Sequence, residues 1–203
     1  MNNNSYNIFS TAYLPPISVI SKINIYKCIY IDIYENYVKQ TFRNRCHILS
    51  ANGKLSLSIP VKKVNGNHTL TKDIEIDNSQ PWQKIHWRAI ESAYSNSPFF
   101  LYYRDAFEPF YLMETKYLID FNNELLNLIL KLTGIKTEIL FSEKYFQPSI
   151  NIIDLRNSIS PKKENNISSK KYNQVFSEKF DFINDLSIID LLFNEGKFCK
   201  EYL

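Results

Sequence analysis

The residues best equipped for chemistry are Arg43-Asn44-Arg45, where two guanidinium forks flank one carboxamide. In an extended segment side chains alternate, so Arg43 and Arg45 share a face and Asn44 takes the other. Two close guanidiniums repel unless one anion serves both. Their planar donor sets suit a phosphate, a diphosphate or a carboxylate. Asn44 is then placed to orient a carbonyl or a sugar hydroxyl. The plainer reading is an edge strand blunted by charge against aggregation.

Other candidates are more scattered. Trp82, Lys84, His86 and Trp87 crowd the start of one helical segment, and Trp82 and His86, four apart, share a side. Imidazole titrates near neutral pH, which makes His86 the best general-base candidate, against the reading of a packing histidine. Tyr13, in Tyr13-Leu14-Pro15-Pro16, stands at a strand's end, where open α/β sheets place their sites. It is suited to stacking on a ring or donating a hydrogen bond, or else to anchoring a turn. Asp32, on the polar face of its strand, suits a base, a ribose ligand or, most simply, the partner of an arginine. The three histidines show no zinc-like spacing. No Gly-rich phosphate loop, Gly-x-Ser-x-Gly elbow or Cys–His nucleophile pattern occurs. No metal and no cofactor is expected.

These residues need elements to hold them. Ile8 to Leu14 reads as a strand ended by two prolines, and Ile17 to Ile25 as a short helix with Ile17, Val19 and Ile20 on its apolar side. Lys27 to Tyr34 alternates, with Ile29, Ile31 and Ile33 opposite Tyr30, Asp32 and Tyr34. Arg45 to Pro60 reads as a hairpin around a primed Asn52-Gly53 turn. Asn65-Gly66-Asn67 marks another turn, and Ile74 and Ile76 face inward. Asp77, Asn78 or Ser79 is expected to cap a helix with Pro81 in its first turn and Trp82, Ile85, Ala89 and Ala93 at helical spacing. Phe99 to Met113 is helical as far as Pro109 allows. Lys116 to Leu132 is the strongest helix, stopped by Gly134, and Ile135 to Phe141 returns to strand. Ser187 caps a last short helix ending near Gly196.

The fold class expected is therefore α/β (or α+β): one domain with a mixed β-sheet flanked by helices. Residues 1–157 form the core, 158–173 a flexible linker and 174–203 a C-terminal segment that docks on the core. With 44% hydrophobic and 22% charged residues among 203, the chain is globular in composition. A net charge of +3 is too small to favour nucleic-acid binding. Cys28, Cys46 and Cys199 are odd in number and far apart, as expected of free thiols in a reducing compartment. With no signal-peptide pattern and no bilayer-length apolar run, the expectation is a cytoplasmic protein that does not enter a membrane.

Several short motifs occur in a telling order: Tyr13-Leu14-Pro15-Pro16, Ile29–Tyr34, Phe42-Arg43-Asn44-Arg45, Asn52-Gly53, Ile59-Pro60-Val61-Lys62, Trp82-Gln83-Lys84-Ile85-His86 and Tyr94-x-x-x-Pro98-Phe99-Phe100. In that order the chain resembles the WbqC-like proteins, which are associated with O-antigen and other surface-polysaccharide gene sets. Some members are described as probable glycine transferases acting on a 4-amino sugar. The resemblance implies acyl transfer to the amine of a nucleotide-linked amino sugar. On that picture Arg43 and Arg45 hold the diphosphate, His86 takes the amine's proton, and Asn44 or Lys62 stabilises oxyanion charge. Tyr13, Asp32 and Lys84 complete the expected binding set. Many members carry His-Gln-Pro just before Tyr-Leu-Pro, where this chain has Ser10-Thr11-Ala12. The alternatives are a non-catalytic module for an anionic metabolite and, less favoured, an RNA-binding protein using Lys39, Arg43, Arg45, Lys62 and Lys63.

Overall fold

The computed structural model describes residues 6–62, 68–161 and 170–203. The turn expected at Asn65-Gly66-Asn67 and half of the expected linker fall outside those residues. The chain is α/β. Four short strands, β1 (Tyr6–Phe9), β2 (Cys28–Ile31), β5 (Glu138–Phe141) and β6 (Ile152–Asp154), form a parallel sheet in the order β5-β2-β1-β6. Strands β3 (Arg45–Ser50) and β4 (Gly53–Ser58) form a separate antiparallel hairpin. The parallel and antiparallel pairings are thus divided between two sheets.

Helix α1 (Ile17–Ile25) links β1 to β2, the crossover that parallel neighbours require. Its buried side is Ile17, Ser18, Ile20 and Ile23, so the stripe runs to Ile23, and Val19 is only partly covered. These side chains share the main core with Phe9, Ile29 and Ile31 and with Leu125 and Ile129 of α4 (Leu118–Thr133). Helix α4 ends as expected at Gly134, whose φ of 70° is the left-handed stop that glycine supplies without strain.

Helix α2 (Trp82–Tyr94) is phased differently from expectation. Trp82, His86, Trp87, Ile90, Ala93 and Tyr94 face inward, and Ile85 is 58% exposed. Two tryptophans and a tyrosine bury more surface than the Ile85–Ala89 line, and they set the rotation. Pro81 is the N-cap and no side chain caps the helix; Asn78 accepts from the Trp82 indole (3.0 Å) and the Gln83 amide instead. At the hairpin turn Gly53 alone takes a positive φ (99°), so the primed Asn52-Gly53 geometry is not the one adopted.

The C-terminal segment docks on the core. Ser187 caps α5 (Ile188–Glu195) and donates to the Leu14 carbonyl, while the Ile188 amide donates to the Pro15 carbonyl. The Tyr-Leu-Pro-Pro motif is thereby the seat of the last helix. A second anchor lies within it: Asp190, wholly buried, accepts hydrogen bonds from Tyr94 (2.8 Å), Tyr172 (2.5 Å) and Gln174 (3.1 Å). Helix α3 (Phe100–Phe107) packs on α5 through Phe100, Phe107 and Phe193.

Candidate functional site

In an open parallel sheet, ligands sit outside the carboxyl ends of the strands, where neighbouring strands send their connections opposite ways. Here the connection from β1 leads to β2 on one side, while β6 flanks β1 on the other. The crevice at the ends of β1 and β6 is lined by Ser10, Thr11, Thr41, Arg43, Arg156 and Ile159, among others. Its free space of about 30 Å³ admits a water or a small functional group.

Two buried ionic clusters frame it. Arg43 is 3% exposed and grips Glu35 with both prongs of its fork, Nε to Oε1 at 2.8 Å and Nη2 to Oε2 at 2.6 Å. The same Nη2 donates to Ser10 Oγ (2.7 Å), which also lies 3.2 Å from Glu35 Oε2. Across the crevice Asp32, fully buried, receives Arg156 Nη1 at 2.6 Å, Ser142 Oγ at 2.9 Å and the Phe146 amide. Arg156 also chelates Asp154, whose carboxyl its hydrogen bonds hold below the usual range. The charges of the first cluster cancel, and in the second the excess negative charge falls on the solvent-exposed Asp154, so that the buried charges are paired as burial requires.

The expected residues are not gathered into one open cleft. Arg43 and Asn44 lie in the turn before β3, so the shared face expected of Arg43 and Arg45 does not form. Arg43 points inward to Glu35, whereas Arg45 rests on Ser58 Oγ at the hairpin's edge (2.9 Å). Asn44 clasps the hairpin's base, its Nδ2 donating to the Ile59 carbonyl (2.8 Å). Lys62 pairs with Glu75 on the surface and Lys84 is exposed. Asp32 is the arginine partner foreseen, though wholly internal instead of on a polar face.

His86 and Tyr13 do meet, but inside the core. Their rings stack, and Tyr13 Oη lies 2.9 Å from His86 Nδ1 and 3.0 Å from Tyr111 Oη. A further bond joins His86 to the Ser58 backbone. Burial lowers the imidazole pKa to about 4, so the ring is neutral at physiological pH. With Tyr13 0% and His86 4% exposed, neither reaches a substrate in this structure. His47 is likewise displaced to about 4, by burial first and then by Lys54 and Arg45.

Reading the sequence missed Glu35, Ser142 and Arg156. An acid four residues beyond the last strand residue of β2 and the Asp154-x-Arg156 alternation were the available signals. The structure puts Ser10 in the crevice between Arg43 and Glu35.

The uncharacterized protein Rv1507c of Mycobacterium tuberculosis is 34% identical over 116 residues, 56% of this chain and 50% of that protein. The chain therefore spans about half the length of that curated relative. No solved structure matches it. The sequence profile of the WbqC-like protein family matches residues 11–164, which takes in both buried ion pairs and the His86 core but begins just after Ser10, and the chain belongs to that family.

Proposed function

We propose that this chain is a transferase that passes an acyl group to the amine of a nucleotide-linked amino sugar, with the reacting amine entering the crevice at the carboxyl ends of β1 and β6. The observation that carries this reading is the Ser10–Glu35–Arg43 cluster, a hydroxyl, a carboxylate and a guanidinium brought together at the sheet's switch point. Membership in the WbqC-like family supports the substrate class. The attacking nitrogen bonds to the acyl carbonyl carbon of an activated donor, whose leaving group departs with the electron pair. The nitrogen's proton passes to Glu35, the carboxylate nearest the Ser10 hydroxyl. Arg43 acts by holding Glu35 in place. Its pairing with an internal acid also means that Arg43 does not serve as half of a diphosphate clamp. His86 and Tyr13 support the hairpin and α2 from within the core.

A second reading has its own observation. Both Glu35 oxygens already accept hydrogen bonds, and Ser10 stands where many relatives have histidine. This favours a non-catalytic module that binds the same sugar ligand. Thermal shift with nucleotide-linked 4-amino sugars, and with their 4-hydroxy counterparts, tests what the two readings share. Ligand at a hundred times its Kd raises stability by about 2.7 kcal/mol. The amino sugar is expected to give the larger shift. No shift with any nucleotide sugar or diphosphate refutes both readings. Turnover lost in Glu35→Gln with ligand-induced shift retained supports transfer over simple binding.

A further inference from the structure

A second hollow, of about 440 Å³, lies on the outer face of the parallel sheet. The pairing of Ile8 with Tyr30 places Tyr6, Ile8 and Tyr30 on one side of the sheet. Phe9, Ile29 and Ile31 go to the main core on the other side. Tyr6, Tyr30 and Phe146 form a triad with ring centroids 5.3, 5.5 and 5.6 Å apart. Tyr6 is 41% exposed and Tyr30 and Phe146 are half-buried, so the rings turn part of their surfaces outward. Ser142, Glu143 and Lys144 supply polar groups at the rim.

This hollow is joined to the crevice. Ser142 Oγ and the Phe146 amide both donate to Asp32, and the Phe146 carbonyl accepts from Arg156 Nη2 at 3.0 Å. Arg156 itself lines the crevice. One buried ion pair thus forms the wall between the two spaces. A volume of this size suits one ring system, and a cluster of partly exposed aromatic rings favours a flat π face over a phosphate.

We propose that the Tyr6–Tyr30–Phe146 hollow is a stacking pocket for a nucleobase. The inference rests on the nucleotide-sugar reading above and names where the nucleoside half of that substrate lies. The sugar then extends past the Asp32–Arg156 wall toward Ser10 and Glu35. Edge groups at Glu143 and Lys144 choose among bases by hydrogen bonding, while Ser142 stays committed to Asp32.

The test uses adenosine, guanosine, cytidine, uridine and, as a base-free control, glucosamine, titrated onto the full chain by saturation-transfer NMR and calorimetry. At least one nucleoside is expected to bind without phosphate. Tyr30→Ala should raise its Kd tenfold or more, in keeping with the cost of removing a stacking platform. Tyr6→Ala, at the more exposed position, gives the same readout should Tyr30→Ala fail to fold. Ser10→Ala should leave nucleoside affinity unchanged. No nucleoside binding, or affinity unchanged in both tyrosine variants, overturns the pocket, while a thermal shift with amino sugars would leave the crevice reading intact. Nucleoside binding that is lost in the tyrosine variants supports the pocket even where no acyl transfer is found, and in that case transfer alone falls.

Discussion

His86→Ala separates a structural histidine from a catalytic one. The ring is packed between Tyr13 and Trp82, with centroids 5.6 and 5.2 Å away. Truncation leaves a cavity in an aromatic core that has little freedom to collapse, a loss of roughly 2–4 kcal/mol by analogy with other large-to-small core changes. It also orphans one hydroxyl of the Tyr13–Tyr111 pair and the bond at Ser58, adding about 1–3 kcal/mol. A total of about 3–7 kcal/mol is a large part of the stability of an ordinary domain. The cost depends on pH in a defined direction. The folded pKa is about 4 against 6.5 for the free side chain, so the unfolded chain binds the proton first. The stabilisation from neutral His86 is present above pH 6.5 and is lost as pH falls toward 4. This span of about 2.5 pH units is worth roughly 3 kcal/mol. Urea unfolding at pH 7.5 should show a midpoint far below wild type, and the gap should shrink by that amount near pH 4. An unchanged midpoint at pH 7.5 together with lost turnover would refute this reasoning and return His86 to the reacting groups.

Other substitutions probe the remaining features. Arg43→Ala should cost about 3–5 kcal/mol because it strands Glu35 inside, whereas Arg45→Ala should stay within about 0.5 kcal/mol of wild type; chemical denaturation compares them. Asp190 has a folded pKa raised to about 6 from 3.8, chiefly by burial, so its contribution is full below pH 3.8 and is lost as pH rises through 6. The wild type should therefore lose up to about 3 kcal/mol relative to Asp190→Asn between pH 3.5 and pH 7.5, read from paired urea curves. Gly134→Ala meets no atom within 4 Å and should cost only about 1 kcal/mol for its positive φ. Gly196→Ala would set its Cβ 2.6 Å from the Phe99 ring and should lower the melting temperature considerably more.

How much of this was legible in the sequence depended on what each residue's neighbours were. Helix α4 reads directly, because its apolar spacing, length and glycine stop all agree. The pairing of the hairpin strands and the Ser187 cap read equally well, since strand alternation and local capping chemistry set them, although the hairpin's turn is not the primed one expected. The rotation of α2 does not, because it is decided by which aromatic rings meet Tyr13, Tyr111 and Phe121 from distant segments. The same limit hid the state of Arg43. Nothing near it in sequence announces that Glu35 curls back to neutralise it, and an arginine with an internal acid looks from sequence like an arginine awaiting an anion. The motif residues Tyr13, Trp82 and His86 share one aromatic core, so part of the family pattern records packing. The chemistry proposed above lies instead beside Ser10, where the family resemblance leads one to expect a histidine.

That departure makes the crevice testable from the opposite direction. Serine offers a hydroxyl that Arg43 Nη2 already engages, and it cannot take up a proton near neutral pH. Histidine at the same backbone position would set an imidazole beside Glu35, and a carboxylate next to an imidazole holds it in one orientation and favours its protonated form. If the amine reacts in this crevice, Ser10→His supplies a general base where the wild type has only a hydrogen-bonded carboxylate. General-base catalysis contributes roughly 100-fold or more. Ser10→His should then transfer acyl groups faster than both wild type and Ser10→Asn, a polar control that does not titrate. The gain should grow as pH rises through the imidazole's range and then level off. Equal rates for the histidine and asparagine variants, in proteins shown to fold and to bind the nucleotide sugar, would mean that the reaction takes place elsewhere on the molecule or not at all.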